Sequence, residues 1–239
     1  MEKIITYENL RNFAYSNDSC IKNKIRGIII SFAGLGGVPN LKNADPGKAL
    51  EFAELGIIYV VPYYNPWCWM NRQAVKYTDE IIDVLCDKYS LNPDTVKIVS
   101  SGSSMGGLAA LVYCVYAKIQ PCACVANCPV CDLPYHYTER VDLPRTLYSA
   151  FGEYDCTMEE ALKSASPIHL VDKLPDIPYN IFHCEKDEAV NLEKHSRRLY
   201  EKMQNTHQIS LKTVPLRKHC DLSPEALVEY KKIIVSYFY

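Results

Sequence analysis

No long basic run occurs anywhere in the 239 residues, and 26 basic against 28 acidic side chains leave a formal net charge of −2. Electrostatics therefore give no reason to expect nucleic acid or an anionic membrane as partner. No apolar stretch approaches the roughly 20 residues that span a bilayer, and the most apolar runs, such as Ile25–Phe32, are far too short. The opening MEKIITYENL lacks the basic and apolar regions of a secretory leader. The chain is accordingly expected to be soluble, intracellular and cytoplasmic. Repeats and low-complexity segments are also missing, and a 48% hydrophobic content excludes disorder. The length suits one large domain. Paired zinc motifs are absent too. The 11 cysteines are an odd number, scattered in apolar contexts such as Cys114, Cys122, Cys124 and Cys184. In a reducing compartment these behave as small buried hydrophobes. Cys128-Pro129-Val130-Cys131 has redox or zinc spacing, but no second ligand pair accompanies it. A structural role is expected there, with no metal.

What is present is an alternation of strand-like and helix-like runs. Strands are predicted at Arg26–Phe32, Ile57–Pro62, Val96–Ser101, Ala123–Asn127, Tyr179–His183 and Ile209–Val214. Helical patterns fall near Gly47–Leu55, Gln73–Tyr89, Met105–Ile119, Leu192–Met203 and Pro224–Phe238. Continuous apolar strands alternating with helices predict a mostly parallel sheet covered on both faces. The segment up to about Asn23 is expected to add one or two antiparallel edge strands. Residues 132–176, rich in Pro, Tyr and charge, break the alternation. They are read as a cap-like insertion of short helices on a single 1–239 domain, because long structureless loops are uncommon in compact domains. Ligands of such sheets bind outside the carboxyl ends of the strands.

The stretch Val96–Tyr113 contains Gly102-Ser103-Ser104-Met105-Gly106, a Gly-x-Ser-x-Gly pattern between an apolar β-branched run and a helix-forming run. That context predicts a strand, a tight turn and a helix, with Ser104 in a strained conformation and its hydroxyl exposed. A helix N-terminus at that point favours developing negative charge. Ser103 is the competing nucleophile, but it lacks glycines on both sides. A serine hydroxyl needs a base, and the base needs a partner that fixes its tautomer. Of six histidines, His219 follows the last strand and precedes the last helix, where it can reach over the serine. His183 lies within a strand and reads as a core residue. His195 is expected on a solvated helix face with Arg197 and Arg198. His207 precedes the last strand, at the wrong end of the sheet. His136 and His169 lie in the cap region, within reach of a substrate. Asp187 follows the preceding strand and is the preferred acid, with Glu185, Glu188 and Asp132 as rivals. The oxyanion of an acyl-transfer intermediate needs two N–H donors. Met105 is one, and Gly34 or Leu35, in the glycine-rich loop after the first parallel strand, is the other. That loop lacks the Lys-Ser/Thr ending of a phosphate-binding loop. Trp67 and Trp69, after the strand Ile57–Pro62, and Tyr135 and His136 in the cap region are candidates to wall a substrate pocket.

The order Ser104, Asp187, His219, the elbow Gly102–Gly107 and the loop Ala33–Gly37 resemble the α/β-hydrolase superfamily. Ser166-Pro167-Ile168, then Ile177-Pro178 leading into His183-Cys184-Glu185-Lys186-Asp187-Glu188-Ala189-Val190, looks like the catalytic domain of the prolyl oligopeptidase family. The resemblance runs from about Arg26 to Tyr239. It implies an α/β-hydrolase fold with Ser104 as nucleophile, Asp187 as acid and His219 as base. Three features depart from that family. The chain is too short to hold a β-propeller, Ala33 replaces the histidine common at the start of the oxyanion loop, and Cys184 replaces a glycine. Stand-alone members of this kind are often esterases. The expectation is therefore a cofactor-free serine hydrolase of small carboxylic esters. Cleavage of short peptides is the alternative, and a non-catalytic binding protein of the same fold a third possibility.

Overall fold

The computed structural model describes residues 4–37 and 45–239. The first three residues of the expected N-terminal edge region lie outside that range. Seven strands form one sheet: β1 (Ala14–Ser16), β2 (Gly27–Phe32), β3 (Ile57–Pro62), β4 (Ile98–Ser103), β5 (Ala123–Asn127), β6 (Tyr179–Cys184) and β7 (Ile209–Val214). Their spatial order is β1-β3-β2-β4-β5-β6-β7. Only β1 runs antiparallel, pairing Ala14 with Pro62 and Ser16 with Val60. The other five pairings are parallel. The N-terminal segment thus contributes a single antiparallel edge strand among the described residues.

The residues of β2 show why both faces must be covered. Side chains alternate across a strand. Ile28, Ile30 and Phe32 enter one apolar cluster with residues of α2 (Arg72–Tyr89) and α3 (Met105–Tyr116). Ile29 enters the opposite cluster with Phe52 of α1 (Gly47–Glu54) and Ile234 of α8 (Pro224–Ser236). All three isoleucines have no exposed surface, and each is worth about 1.5–3 kcal/mol when removed from water. The edge strand β7 instead alternates exposed or half-buried residues and is fully buried only at Val214.

Between β5 and β6 lie α4 (Leu133–Glu139), α5 (Leu143–Phe151) and α6 (Met158–Lys163), followed by two short 3₁₀ turns. Asp132 caps α4 by accepting the Tyr135 N–H at 3.2 Å. Thr157 and Glu160 cap α6 reciprocally. Residues expected as one helix from Leu192 to Met203 split into a π-helical turn, Glu193–Arg197, and α7, Arg198–Met203. No helix among the described residues is long and apolar enough to cross a membrane.

Candidate active site

The elbow after β4 is built from its glycines. A Cβ on Gly102 would stand 2.2 Å from the Gly106 carbonyl oxygen, and one on Gly106 would stand 2.1 Å from that of Phe32. Only glycine permits strand and helix to meet this closely. Ser104 sits between them at φ 60° and ψ −125°, a conformation that side chains rarely adopt. It is held there by its N–H, which donates to the Asn127 carbonyl at 2.9 Å, and by its carbonyl, which accepts from Leu108 at 3.1 Å. Strain of this kind costs on the order of 1–3 kcal/mol and persists only where the surroundings enforce it.

Two loops at the same edge of the sheet meet this serine. The loop after β7 brings His219, whose Nε2 lies 2.9 Å from Ser104 Oγ. The loop after β6 brings Asp187, whose Oδ2 lies 2.7 Å from His219 Nδ1. Asp187 is itself fixed. Its Oδ1 accepts the N–H groups of Ala189 and Val190, both at 2.9 Å, and its side chain has no exposed surface. Behind it stands His183, with Nε2 3.0 Å from the Val190 carbonyl and 3.4 Å from Asp187 Oδ2. A carbonyl can only accept, so His183 Nε2 carries a hydrogen, and Nδ1 lies 2.7 Å from Ser196 Oγ. His183 is buried, as its place within a strand predicts.

Electrostatics follow from these contacts. Burial works against ionisation of Asp187, but the hydrogen bonds from His183, His219 and Val190 outweigh it and hold the carboxyl far below the usual range. Burial also opposes a charged His219. Hydrogen bonding to Asp187, and then to Cys128, wins and pushes the imidazole up to about 9. With Nδ1–H donated to the carboxylate, neutral His219 presents its Nε2 lone pair to the Ser104 hydroxyl. Two thiols crowd the same imidazole. Cys220 Sγ lies 3.4 Å from Nε2. Cys128 is buried, and the neighbouring Cys220 thiol, with burial, keeps its own thiol protonated well above neutral pH. Spacing pairs Cys128 only with Cys131 and gives no sign of Cys220, which directly follows His219.

The remaining candidates divide clearly. Ser103 lies 3.5 Å from Asn127 Nδ2 at the end of β4, and its backbone is extended rather than strained. Gly34 abuts the elbow, since a Cβ there would stand 3.8 Å from Ser104 Cβ. Leu35 is its neighbour in the loop after β2, and Met105 is the first residue of α3. Asp132 is turned away from His219, pairing with Arg198 at 2.7 Å. Glu185 accepts the Leu216 N–H, and Glu188 is exposed. His169 lies 3.6 Å from Asp132, and His207 bonds the Leu174 carbonyl.

Three sequence expectations need correction. His195 is fully buried, not solvated: its Nδ1 accepts the N–H groups of Cys131 and Asp132, and its Nε2 lies 3.0 Å from Glu139 Oε2. Residues two apart do not face each other on a helix, so His195 turns inward while Arg197 stays partly exposed. His136 is also buried, its Nδ1 2.6 Å from the same carboxylate oxygen. Trp69 is 1% exposed, with its indole N–H donated to Thr146 at 3.0 Å. Trp69 and His136 therefore pack beneath the helices instead of facing a substrate. Trp67 is 37% exposed, beneath the Arg145 guanidinium at 5.6 Å, and Tyr135 is half-buried with its ring against His195.

No protein-family profile matches the chain. A protein of Bacillus subtilis (strain 168) named as an uncharacterized peptidase, YtmA, is 26% identical over 181 residues, spanning 72% of this chain and 68% of that one. Among solved structures, esterase B from Lactobacillus rhamnosis superposes with a TM-score of 0.69 at 14% identity, covering 91% of this chain and 76% of that one. An acylaminoacyl peptidase of Pyrococcus horikoshii gives 0.69 at 14% identity, covering 91% and 38%. Together with the seven-stranded, mostly parallel sheet and its serine elbow, these likenesses make the chain an α/β-hydrolase by fold.

Proposed function

We propose that the protein is a serine hydrolase that cleaves small carboxylic esters through an acyl-enzyme. The observation that carries this is the unbroken hydrogen-bonded line from Ser104 Oγ through His219 to Asp187, ending on a serine strained at φ 60°. His219 takes the Ser104 proton as Oγ attacks the ester carbonyl. Asp187 holds the imidazole in the productive tautomer and stabilises the imidazolium. Negative charge developing on the carbonyl oxygen is met by the Met105 N–H and by that of Gly34 or Leu35, each worth about 3–4 kcal/mol. His219 then returns the proton to the leaving alcohol, and water releases the acid by the reverse path. None of these steps calls on a metal or an organic cofactor. The segment 132–176 serves as a cap, with Trp67 and Tyr135 at the mouth of the pocket. The substrates are small molecules, and the protein works in the cytoplasm.

A second reading, cleavage of short peptides, is favoured by the Bacillus relative that is named a peptidase. Rates on p-nitrophenyl acetate against acyl-aminoacyl and prolyl anilides separate the two. The nucleophile is tested with a fluorophosphonate probe. Wild-type protein is expected to be labelled once, and Ser104→Ala not at all. Equal labelling of the folded variant, or no labelling of the wild type, contradicts the proposal.

A further inference from the structure

We propose that Cys128, His219 and Cys220 form a binding site for a soft divalent cation of the Zn²⁺ class, and that filling it switches the hydrolase off. The ligand atoms of these three residues all lie within 4.8 Å of one another. Cys220 Sγ stands 3.4 Å from His219 Nε2. Tetrahedral zinc, with Zn–S about 2.3 Å and Zn–N about 2.0 Å, separates its ligand atoms by roughly 3.5–3.8 Å. The three groups therefore need only small side-chain adjustments to close on one ion. Two sulfurs and an imidazole are the donor set that such a cation prefers.

The surroundings fit the same use. Metal-bound histidines usually donate their other ring N–H to a carboxylate, which fixes the ring. His219 already does so to Asp187. Both cysteines are held by backbone contacts in left-handed conformations, φ 45° for Cys128 and φ 57° for Cys220. The Cys128 N–H donates to the Phe182 carbonyl at 2.7 Å, and the Cys220 carbonyl accepts from Asn127 Nδ2 at 3.4 Å. The second cluster of histidines, His136, Glu139 and His195, cannot act in this way. His195 Nδ1 accepts two backbone N–H groups, so its Nε2 keeps a hydrogen and has no lone pair to give.

Binding releases to solvent the two S–H protons and any proton carried on His219 Nε2, in exchange for two metal–sulfur bonds and one metal–nitrogen bond. The Nε2 lone pair forms the third bond. That lone pair is the one facing the Ser104 hydroxyl at 2.9 Å, so the loaded protein has no base for its serine. The effect on activity rests on the role proposed above for His219; the binding of the ion does not.

Two readouts keep these apart. Cd²⁺ titration of the full-length protein is followed by thiolate-to-cadmium charge-transfer absorption, and Zn²⁺ is titrated against p-nitrophenyl acetate hydrolysis with reversal by EDTA. A lost outer partner of a metal ligand already costs ~10–100-fold in affinity. Cys220→Ala, which removes a direct ligand, is expected to weaken both responses at least tenfold, zinc inhibition being read against the variant's own EDTA-treated rate. Cys128→Ala is expected to do the same; because Cys128 is buried, the partly exposed Cys220 carries the test if that variant unfolds. Unchanged cadmium absorption and zinc sensitivity in Cys220→Ala overturn the proposal. Inertness of the wild type towards the ester, with cadmium absorption that still depends on Cys220, counts against the hydrolase reading and leaves the ion site standing.

Discussion

Two clusters in this molecule combine imidazole with carboxylate, and they differ in what their nitrogens have left to give. Under the helices between β5 and β6, Glu139 receives both His136 and His195, and a second oxygen accepts the Asn191 N–H. Both nitrogens of His195 are engaged, and both histidines are buried. Burial depresses the basicity of His136, while Glu139 stays ionised, held down to about 2 by its two imidazoles despite burial. At the carboxyl edge of the sheet, Asp187 likewise receives two imidazoles. There, however, one histidine keeps a nitrogen facing a hydroxyl on a strained turn. The first cluster clamps helices together. The second leaves a nitrogen and a hydroxyl paired for the proton transfer proposed above.

Substitutions should separate the clusters sharply. Ser104→Ala or His219→Ala should lower ester turnover by about six orders of magnitude, as removal of the corresponding residues does in a serine protease. Steady-state kinetics, with circular dichroism to show that the fold survives, check this. Asp187→Asn should cost roughly 10⁴-fold through the wrong tautomer of His219. Glu139→Gln, by contrast, should leave turnover nearly intact. It should destabilise the protein by about 1–3 kcal/mol, because buried histidine nitrogens lose an ionised partner. Urea denaturation reads that loss, and a turnover deficit as large as that of Asp187→Asn would erase the distinction between the clusters.

Acid and base should divide them in a second way. His219 must be neutral to act, and its folded value is raised to about 9. With EDTA present, kcat/KM should therefore climb with pH through a midpoint well above the ordinary ~6.5. A midpoint at or below 6.5 contradicts the Asp187–His219 coupling. The sign for stability is opposite. The raised value means that protonated His219 stabilises the fold fully below about 6.5, and that this contribution disappears as pH rises through about 9. Glu139, depressed to about 2 from 4.5, stabilises above about 4.5 and loses that contribution as pH falls towards 2. Thermal melts of wild type and Glu139→Gln across this acid range should converge as pH falls. The smallest effect concerns the mouth of the pocket. Trp67→Ala should raise KM for bulky esters more than it lowers kcat, since its ring, 37% exposed, is proposed to line the pocket mouth away from the reacting atoms.

Much of the geometry at this rim was legible because it is tied to local pattern. Gly102 and Gly106 are demanded by contacts of 2.2 and 2.1 Å, so the elbow announces itself in five residues. The bounds of β3, β5 and β7 fall where the apolar runs end, because turns and caps take over at once. Four of the parallel strands then bring Gly34, Ser104, Asp187 and His219 to one edge by topology alone. The clamp was illegible for the converse reason. His195 sits in a π-helical turn, and no pattern in Leu192–Met203 signals the extra residue. Trp69 follows a strand end like the true rim residues, yet Trp69 and Met70 adopt positive φ and turn the indole inward to Thr146. Cys128 and Cys220 lie far apart in sequence and meet only because β5 and the loop after β7 share a neighbour in β6.

Peptide mapping by mass spectrometry of protein quenched during turnover of p-nitrophenyl acetate addresses the reactive cluster most directly. An acetyl group on Ser104, absent from His219→Ala and still present in Glu139→Gln, is the predicted result. Acetylation confined to Ser103 or to a cysteine, or persisting on Ser104 at the wild-type rate without His219, would contradict it.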